Sequence, residues 1–301
     1  MTRPNRIEIV EVGPRDGLQN ETEHLSPAER IDLIEKLALA GLKQIEAGSF
    51  VSPRWVPQMA GSDVILESLR DRDDLRLPVL VPNMQGYENA RAAGAREIAV
   101  FAAATESFSQ KNINCSIDDS LQRFEAVCRQ ALADNVRIRG YISCVLGCPY
   151  EGEVDPANVV RISRDLLQLG CSEISLGDTI GVGTPDKARA LIEACATEVG
   201  IDRISAHFHD TYGQALANIL ACIEVGVTTV DTAIGGLGGC PYAKGSAGNV
   251  ATEDVVYMLN GMNIDCGVDL PALLDITDSL CERLKHPPAS RVARALLTKR
   301  A

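Results

Sequence analysis

Residues 26–50 read SPAERIDLIEKLALAGLKQIEAGSF, and this stretch holds a helical pattern, a glycine and a strand pattern in that order. Apolar residues recur at three- and four-residue spacing over 27–38, which predicts an amphipathic helix. Ser26, followed three positions later by Glu29, has the pattern of a capping box at the start of that helix. Gly41 stands where the helix should end, and the apolar run after it predicts a buried strand. The stretch is therefore one helix-to-strand unit.

The same unit recurs along the chain, because helical patterns lie between short apolar runs. Strands are predicted at 7–13, 44–50, 77–82, 97–104, 137–146, 173–179, 204–210 and 229–236. Gly94, Gly170 and Gly226 each stand between a helical pattern and the next strand, where a helix-ending glycine belongs. Eight such units predict an α/β protein with a (β/α)8 TIM barrel. A doubly wound open sheet is the alternative, but the chain lacks a glycine-rich dinucleotide turn.

The barrel is predicted over residues 1–261. The remaining residues, 262–301, are predicted to form a C-terminal helical extension packed on the barrel, with helices at 271–285 and 290–297. No segment has the composition of a linker, so a single domain overall is expected.

The composition narrows the class of function. A net charge of −12 disfavours nucleic acid or an anionic membrane as the main partner. No apolar run is long enough for a membrane span, and no secretory segment precedes the first strand. Many of the ten cysteines lie in apolar runs and are interpreted as reduced thiols. We therefore expect a cytoplasmic protein.

Two histidines close the seventh predicted strand. His207 and His209 are two residues apart, so an extended strand points both side chains to one face. Active sites of TIM barrels lie at the carboxyl ends of the strands, and Asp16 follows the first strand. Two imidazoles and a carboxylate suit Fe²⁺, Mn²⁺, Zn²⁺ or Mg²⁺, and the ligand types do not choose among them. A hydrogen-bonded histidine pair that lines the barrel mouth is the alternative without a metal.

Further polar residues stand at predicted strand ends, among them Arg15, Glu46 and Asp178. Past the eighth strand lies a glycine-rich segment, residues 235–249, which contains six glycines and Cys240. A loop of this composition at a barrel mouth can close as a lid and carry a catalytic group. A flexible connection with an incidental cysteine is the alternative.

Several segments together carry a resemblance to a known family. They are EVGPRDGLQNE (11–21), SFVSP (49–53), WVPQM (55–59), FSQKNINCS (108–116), GYISC (140–144), SLGDTIG (175–181), the two strand histidines and GCPY (239–242). With these segments the chain closely resembles the 3-hydroxy-3-methylglutaryl-CoA lyases, metal-dependent lyases marked by an Arg-Asp-Gly motif after the first strand. The resemblance covers nearly the whole chain.

The resemblance implies cleavage of (S)-3-hydroxy-3-methylglutaryl-CoA to acetyl-CoA and acetoacetate, in leucine and ketone-body catabolism. It also implies a divalent metal, Mg²⁺ or Mn²⁺, and a homodimer. By resemblance, the metal ligands are Asp16, His207, His209 and Asn249, and the catalytic residues are Arg15, Glu46, Asp178, His207 and Cys240. Lys111 and Asn112, in a predicted loop after the fourth strand, are candidates for binding the coenzyme A moiety.

Three alternatives remain. Claisen-type condensing synthases of the isopropylmalate and homocitrate group share the barrel, the Arg-Asp-Gly motif and the two strand histidines. They have leucine, however, where Pro14 stands. They also have a charged pair where this chain has Cys-Pro-Tyr. A lyase for a related 3-hydroxy-3-alkylglutaryl-CoA would keep every motif. A catalytically inactive scaffold barrel would be expected to have lost a ligand or the cysteine.

Overall fold

The strands of this chain pair in parallel. The computed structural model describes residues 3–239 and 248–300. The strands are β1 (Glu8–Glu11), β2 (Gln44–Ile45), β3 (Gly48–Ser49), β4 (Val79–Leu80), β5 (Glu97–Ala103), β6 (Arg137–Ser143), β7 (Glu173–Asp178), β8 (Ile204–Phe208) and β9 (Thr229–Thr232). Their order in the sheet is β2-β1-β9-β8-β7-β6-β5-β4-β3, and every registered pair is parallel.

β2 and β3 stand at the two ends of that order, yet only Glu46 and Ala47 separate them along the chain. The Glu46 N–H donates to the Glu11 carbonyl oxygen of β1 at 2.8 Å. The Ala47 N–H donates to the Pro78 carbonyl oxygen, next to β4, at 3.0 Å. β2 and β3 are therefore halves of one strand that joins both edges, and the sheet closes into an eight-stranded barrel. The predicted TIM barrel is confirmed.

A proline just before β4 explains why the predicted strand 44–50 is interrupted. The Ile45 N–H donates to the Arg76 carbonyl oxygen at 3.0 Å, and the Ala47 N–H donates to that of Pro78. A regular parallel ladder would return a bond from residue 78 to the Ile45 carbonyl, but proline has no N–H. The missing bond leaves Glu46 between the two half-strands.

Helices lie between the strands, as the repeated pattern predicts. They are α1 (Pro27–Leu39), α2 (Ser62–Ser68), α3 (Met84–Ala92), α4 (Glu106–Ile113), α5 (Ile117–Ala133), α6 (Pro156–Gln168), α7 (Pro185–Val199), α8 (Ala215–Glu224), α9 (Thr252–Gly261), α10 (Leu270–Leu284) and α11 (Arg291–Thr298). The capping box of α1 is present, because the Ser26 N–H donates to the Glu29 carboxylate at 2.7 Å and the Glu29 N–H donates to Ser26 Oγ at 3.3 Å. Gly41 has a φ of +107°, and a Cβ there would lie 2.0 Å from the Gly267 carbonyl oxygen. Only glycine fits this turn.

One segment predicted as a loop is a helix. Lys111 and Asn112 lie on α4, which directly follows β5. The Glu106 carboxylate, in the first turn of α4, accepts a hydrogen bond from the Ile117 N–H at 3.1 Å and so ties α4 to α5. The segment is polar and short, so it has no apolar periodicity from which a helix is predicted.

The predicted C-terminal helices correspond to α10 and α11. α10 contacts α1 and α9, and Asp254 of α9 accepts hydrogen bonds from Ser290 Oγ at 2.6 Å and from the Val292 N–H at 2.9 Å. This carboxylate joins the barrel to the first turn of α11. The division of the chain after residue 261 stays a prediction. Within the described ranges, no helix combines the length and apolar character that crossing a membrane requires.

The interior of the barrel carries charge. Arg139 on β6 and Asp231 on β9 are both buried, and they form two hydrogen bonds of 2.6 and 3.1 Å. β6 and β9 are three places apart in the sheet, so this contact crosses the barrel interior. The pair lies below the carboxyl-terminal rim, which is the edge where the strands end.

Candidate active site

The ends of β1 and β8 bring polar side chains to the carboxyl-terminal rim. A tight turn follows β1, and this Arg-Asp turn (Gly13–Gly17) carries Arg15 and Asp16. His207 lies on β8, and His209 follows directly after its last residue. Because the carboxyl ends of parallel strands share one edge of a barrel, these side chains face a common site.

The structure brings the four predicted metal ligands together. A carboxylate oxygen of Asp16 and a ring nitrogen from each of His207 and His209 lie within 4.8 Å of one another. Asn249 Nδ2 donates to Asp16 Oδ2 at 2.8 Å. The backbones of Asn249 and His209 pair in an isolated antiparallel β-bridge. One carboxylate and two imidazoles form a donor set that divalent cations accept. The residues present therefore fit a divalent metal.

The charge of Asp16 suits this role. Burial alone would raise the pKa of Asp16, but the positive charge of Arg15, followed by the electrostatic influence of the nearby His207 and His209, lowers it to about 2. The carboxylate is therefore ionised at neutral pH, beside two imidazoles. An ionised carboxylate is the form that binds a metal.

Arg15 is a buried cation next to these ligands. Its Nη1 donates to Asp16 Oδ1 at 2.7 Å, and its Nη2 lies 2.7 Å from Glu46 Oε2. The guanidinium carbon lies 5.6 Å from the centroid of the Tyr141 ring. Burial opposes the charged form, but Glu46 and Asp16 raise the pKa of Arg15 above its ordinary value. A permanent positive charge is thus fixed at the rim.

The two other predicted catalytic carboxylates have different surroundings. Glu46 is fully buried and pairs with Arg15, and burial raises the pKa of Glu46 although Arg15 opposes this. Asp178, also fully buried, accepts hydrogen bonds from the Val182 N–H at 3.2 Å and the Gly183 N–H at 2.8 Å. Burial raises the pKa of Asp178 against these bonds. Asp178 therefore holds the loop after β7, and its catalytic role stays a prediction.

Sequence reasoning missed the residues behind His207. His207 Nδ1 lies 3.1 Å from Asp231 Oδ2, and Arg139 contacts both oxygens of Asp231. Burial would raise the pKa of Asp231, but Arg139 and His207 lower it. The sequence does contain a signal for them, because Arg139 and Asp231 are charged residues inside predicted strands. Alternation along β6 also places Arg139 and Tyr141 on one face.

Two buried carboxylates, also missed, hold the start of the glycine-rich segment. Glu11 Oε1 accepts hydrogen bonds from the Gly13 N–H at 2.7 Å and from the Ile234 N–H at 2.9 Å. Glu253 accepts from the Gly235 N–H at 2.9 Å. Burial raises the pKa of Glu11 to about 8 and that of Glu253 to about 7. Glu11 therefore ties the Arg-Asp turn to the glycine-rich segment.

Three predicted site residues are not part of this cluster. Lys111 and Asn112 are exposed on α4, which follows the carboxyl end of β5. Cys240 lies in residues 240–247, outside the described residues. Just before it, the Gly239 carbonyl oxygen accepts a hydrogen bond from Asn20 Nδ2 at 2.9 Å. The glycine-rich segment thus starts beside the residues that follow the Arg-Asp turn.

The sequence matches known proteins over nearly its whole length. The sequence model of the HMGL-like family matches residues 6–280. The 3-hydroxy-3-isohexenylglutaryl-CoA/hydroxy-methylglutaryl-CoA lyase of Pseudomonas aeruginosa is 56% identical over 299 residues, which are 99% of this chain and 100% of the relative. The mitochondrial hydroxymethylglutaryl-CoA lyase of Rattus norvegicus is 53% identical over 294 residues, 98% of this chain and 90% of the relative.

The fold matches as well. The crystal structure of hydroxymethylglutaryl-CoA lyase from Pseudomonas aeruginosa superposes with a TM-score of 0.97 at 56% identity, and the match covers 99% of this chain and 100% of that chain. Sequence and structure thus agree from the first strand to the C-terminal helices, and the chain belongs to the HMGL-like family.

Proposed function

We propose that this chain is a carbon–carbon lyase that cleaves (S)-3-hydroxy-3-methylglutaryl-CoA into acetyl-CoA and acetoacetate. The observation that carries this conclusion is the cluster of Asp16, His207 and His209 beside the buried cation Arg15. The two relatives at 53% and 56% identity are named as lyases of this thioester, and they support the substrate. The reaction would belong to leucine and ketone-body catabolism.

The proposed cofactor is Mg²⁺ or Mn²⁺, held by Asp16, His207, His209 and Asn249. A bound cation would act as a Lewis acid that stabilises negative charge on substrate oxygens. Asn249 Nδ2 donates to Asp16 Oδ2, so Asn249 would bind the cation through its Oδ1. Carboxylate and amide oxygens are ligands that suit these two metals.

Cleavage between C2 and C3 moves one proton and one electron pair. The C3 hydroxyl gives its proton to a basic group of the site and becomes the ketone of acetoacetate. The electron pair of the broken bond passes to the departing acetyl-CoA, whose thioester oxygen carries the charge as an enolate, and C2 then takes up a proton. Arg15 is the proposed partner of that oxygen, since its guanidinium is permanently charged and is held by Glu46. Arg15 thus stabilises charge that develops only as the bond breaks.

The remaining catalytic roles rest on the chemistry of the side chains. Cys240 is the proposed acid that protonates C2, because a thiol with an ordinary pKa of about 8.5 can donate a proton at neutral pH. Glu46 is proposed to orient Arg15, and His207 is proposed to hold the metal in position. Asp178 is proposed to complete the set of catalytic residues by fixing the loop after β7.

Lys111 and Asn112 are the proposed contacts for the coenzyme A moiety. Both are exposed on α4 beside the rim, and a local cation offsets the repulsion between coenzyme A phosphates and a chain of net charge −12. A homodimer is proposed from the family resemblance, and light scattering of the purified protein tests it. A cytoplasmic location is proposed because every cysteine that the structure describes is free and buried.

Product analysis tests the proposed reaction and the size of the C3 substituent. Purified protein with Mg²⁺ is incubated with 3-hydroxy-3-methylglutaryl-CoA and, in parallel, with the 3-isohexenyl homologue. Acetyl-CoA and acetoacetate from the first substrate are the expected products. Cleavage of the isohexenyl substrate alone would assign the chain to a longer alkyl homologue. A third incubation supplies acetyl-CoA and a 2-oxo acid, and their condensation, without cleavage in the other two, would assign the chain to the synthases.

A further inference from the structure

A buried carboxylate lies directly behind one proposed metal ligand. Asp231 on β9 has no exposed surface, and its Oδ2 lies 3.1 Å from Nδ1 of His207. The other ring nitrogen of His207, Nε2, lies 4.0 Å from Oδ2 of Asp16 on the opposite side of the ring. The two nitrogens of His207 therefore have different partners.

Arg139 holds Asp231 as an anion. Its Nη2 donates to Asp231 Oδ1 at 2.6 Å and its Nη1 donates to Oδ2 at 3.1 Å, while Ser175 Oγ donates to Oδ2 at 2.8 Å. A carboxylate that receives a guanidinium on both oxygens accepts hydrogen bonds and has no proton to donate. His207 Nδ1 is therefore the donor in its contact with Asp231.

The same arginine anchors Asp231 to the barrel interior. Arg139 Nε donates to Glu173 Oε1 at 2.8 Å, and Nη1 donates to the Tyr141 hydroxyl at 3.0 Å. The Tyr141 ring meets the His207 ring edge-on, with centroids 5.9 Å apart. Asp231 and the His207 ring are thus both fixed by buried partners, which is what a group that sets the orientation of another requires.

We propose that Asp231 is a positioning residue that fixes His207 in its Nδ1–H tautomer and so keeps the Nε2 lone pair available to the metal. A neutral imidazole carries its proton on either nitrogen, and the hydrogen bond made by one nitrogen decides which of them binds a metal. A carboxylate behind a metal-binding histidine fixes the ring and raises its basicity. The inference rests on the proposed metal-dependent function, because the tautomer matters for the reaction only if His207 binds a metal.

The first test uses the unaltered protein without metal. The chain has four histidines, so ¹⁵N labelling of histidine gives a small set of ring signals, and a His207→Gln variant assigns those of His207. At a pH where the ring is neutral, we expect a protonated Nδ1 and a bare Nε2. An Nε2–H tautomer would overturn the proposal. This readout depends neither on activity nor on the folding of an Asp231 variant.

The second test measures Mn²⁺ binding by electron paramagnetic resonance. Asp231→Asn should weaken Mn²⁺ binding about 10- to 100-fold, and the His207 signals should shift toward the Nε2–H tautomer, because the new amide can donate to Nδ1. Ser163→Ala is the matched control, since it removes a buried serine hydroxyl on α6 that donates to the Val159 carbonyl oxygen and takes no part in the proposed site, and it should bind Mn²⁺ like the unaltered protein.

The outcomes separate this proposal from the proposed function. Unchanged Mn²⁺ affinity in a folded Asp231→Asn protein would overturn the positioning role. If that variant does not fold, the tautomer of the unaltered protein decides. If the unaltered protein binds no Mn²⁺, the proposed metal site is wrong, and an Nδ1–H signal would still support the effect of Asp231 on His207.

Discussion

Nη2 of Arg15 lies 2.7 Å from Oε2 of Glu46, and both side chains are buried. A buried guanidinium held by a carboxylate is already oriented before the substrate arrives, so it stabilises new negative charge without rearranging. Removing Arg15 would leave Glu46 buried without its paired cation, whereas removing Glu46 would leave Arg15 paired with Asp16 alone. The pair therefore makes Arg15 the fixed cation of the site, and its chemistry should depend on the guanidinium shape as well as on charge.

Arg15→Lys should lower kcat about 100-fold or more with little change in the substrate KM. Lysine keeps the charge but loses the planar fork that contacts Asp16 and Glu46 at once. Steady-state kinetics at saturating Mg²⁺ measure the effect. Arg189→Lys, at an ion pair with Glu224 on the surface, is the matched control and should leave kcat unchanged. A loss confined to KM would make Arg15 a binding group.

His209→Ala should weaken metal binding at least about tenfold, the order expected when a metal site loses a supporting group. The substitution deletes one of three donor groups that lie within 4.8 Å of one another. Titration of the metal-free protein with Mn²⁺ gives the affinity directly. His24→Ala changes an exposed histidine and should bind Mn²⁺ normally. Equal affinities of the two variants would remove His209 from the site.

Thiol reagents should modify Cys240 before any other cysteine, and substrate should protect it. The cysteines that the structure describes are all buried, whereas the glycine-rich composition around Cys240 predicts an accessible loop. Peptide mapping of the first alkylated cysteine, with and without substrate, measures this order. Labelling of another cysteine first would contradict the lid prediction.

Cys240→Ser should fold normally and lose roughly 100-fold or more of its turnover, because a hydroxyl is a much poorer acid than a thiol at neutral pH. Turnover is compared at saturating Mg²⁺ and substrate. A rate near that of the unaltered protein would show that a different group protonates C2.

Glu11 should make the metal-free protein less stable as the pH rises. Its pKa is about 8 in the folded protein against 4.5 for an ordinary glutamate, so the folded state binds the extra proton between these values. The free energy of unfolding therefore falls as the pH rises from about 4.5 to about 8, and this contribution is constant above that range. Urea unfolding at several pH values measures the slope.

Glu11→Gln should flatten this pH dependence and keep the fold. Glutamine stays neutral, and its oxygen can accept from the Gly13 and Ile234 N–H groups while its amide donates to Thr252 Oγ, which lies 2.6 Å from Glu11 Oε2. Glu11→Ala removes all three hydrogen bonds and should lower the stability at every pH. The same slope in Glu11→Gln and the unaltered protein would show that Glu11 ionises normally in the folded state.

Much of the fold follows from local patterns, and the exception at the second predicted strand has its cause in a distant part of the sequence. The capping box at Ser26 and the hydrogen bond from the Gly41 N–H to the Ala38 carbonyl oxygen join residues close in sequence, so local patterns predict the helix between them closely. The break between β2 and β3 depends on Pro78, the residue just before β4, and no pattern within 44–50 contains that information.

The candidate site divides in the same way. His207 and His209 are two residues apart in one predicted strand, and alternation alone predicts that their side chains share a face. Asp231 contacts His207 from another strand, so this contact can be recognised only once the pairing of β8 with β9 is known. Glu11 likewise contacts Ile234, 223 residues away in sequence.

Chelation and reconstitution test the central claim, metal-dependent cleavage at Asp16, His207 and His209, most directly. Protein treated with a chelator is titrated with Mn²⁺, while bound Mn²⁺ and the products of 3-hydroxy-3-methylglutaryl-CoA are measured in the same samples. We expect no cleavage without metal. With metal, we expect equal amounts of acetyl-CoA and acetoacetate in proportion to the Mn²⁺ bound. Asp16→Asn should lose both Mn²⁺ binding and cleavage. Equal cleavage before and after reconstitution, or Mn²⁺ binding unaffected in Asp16→Asn, would contradict the account.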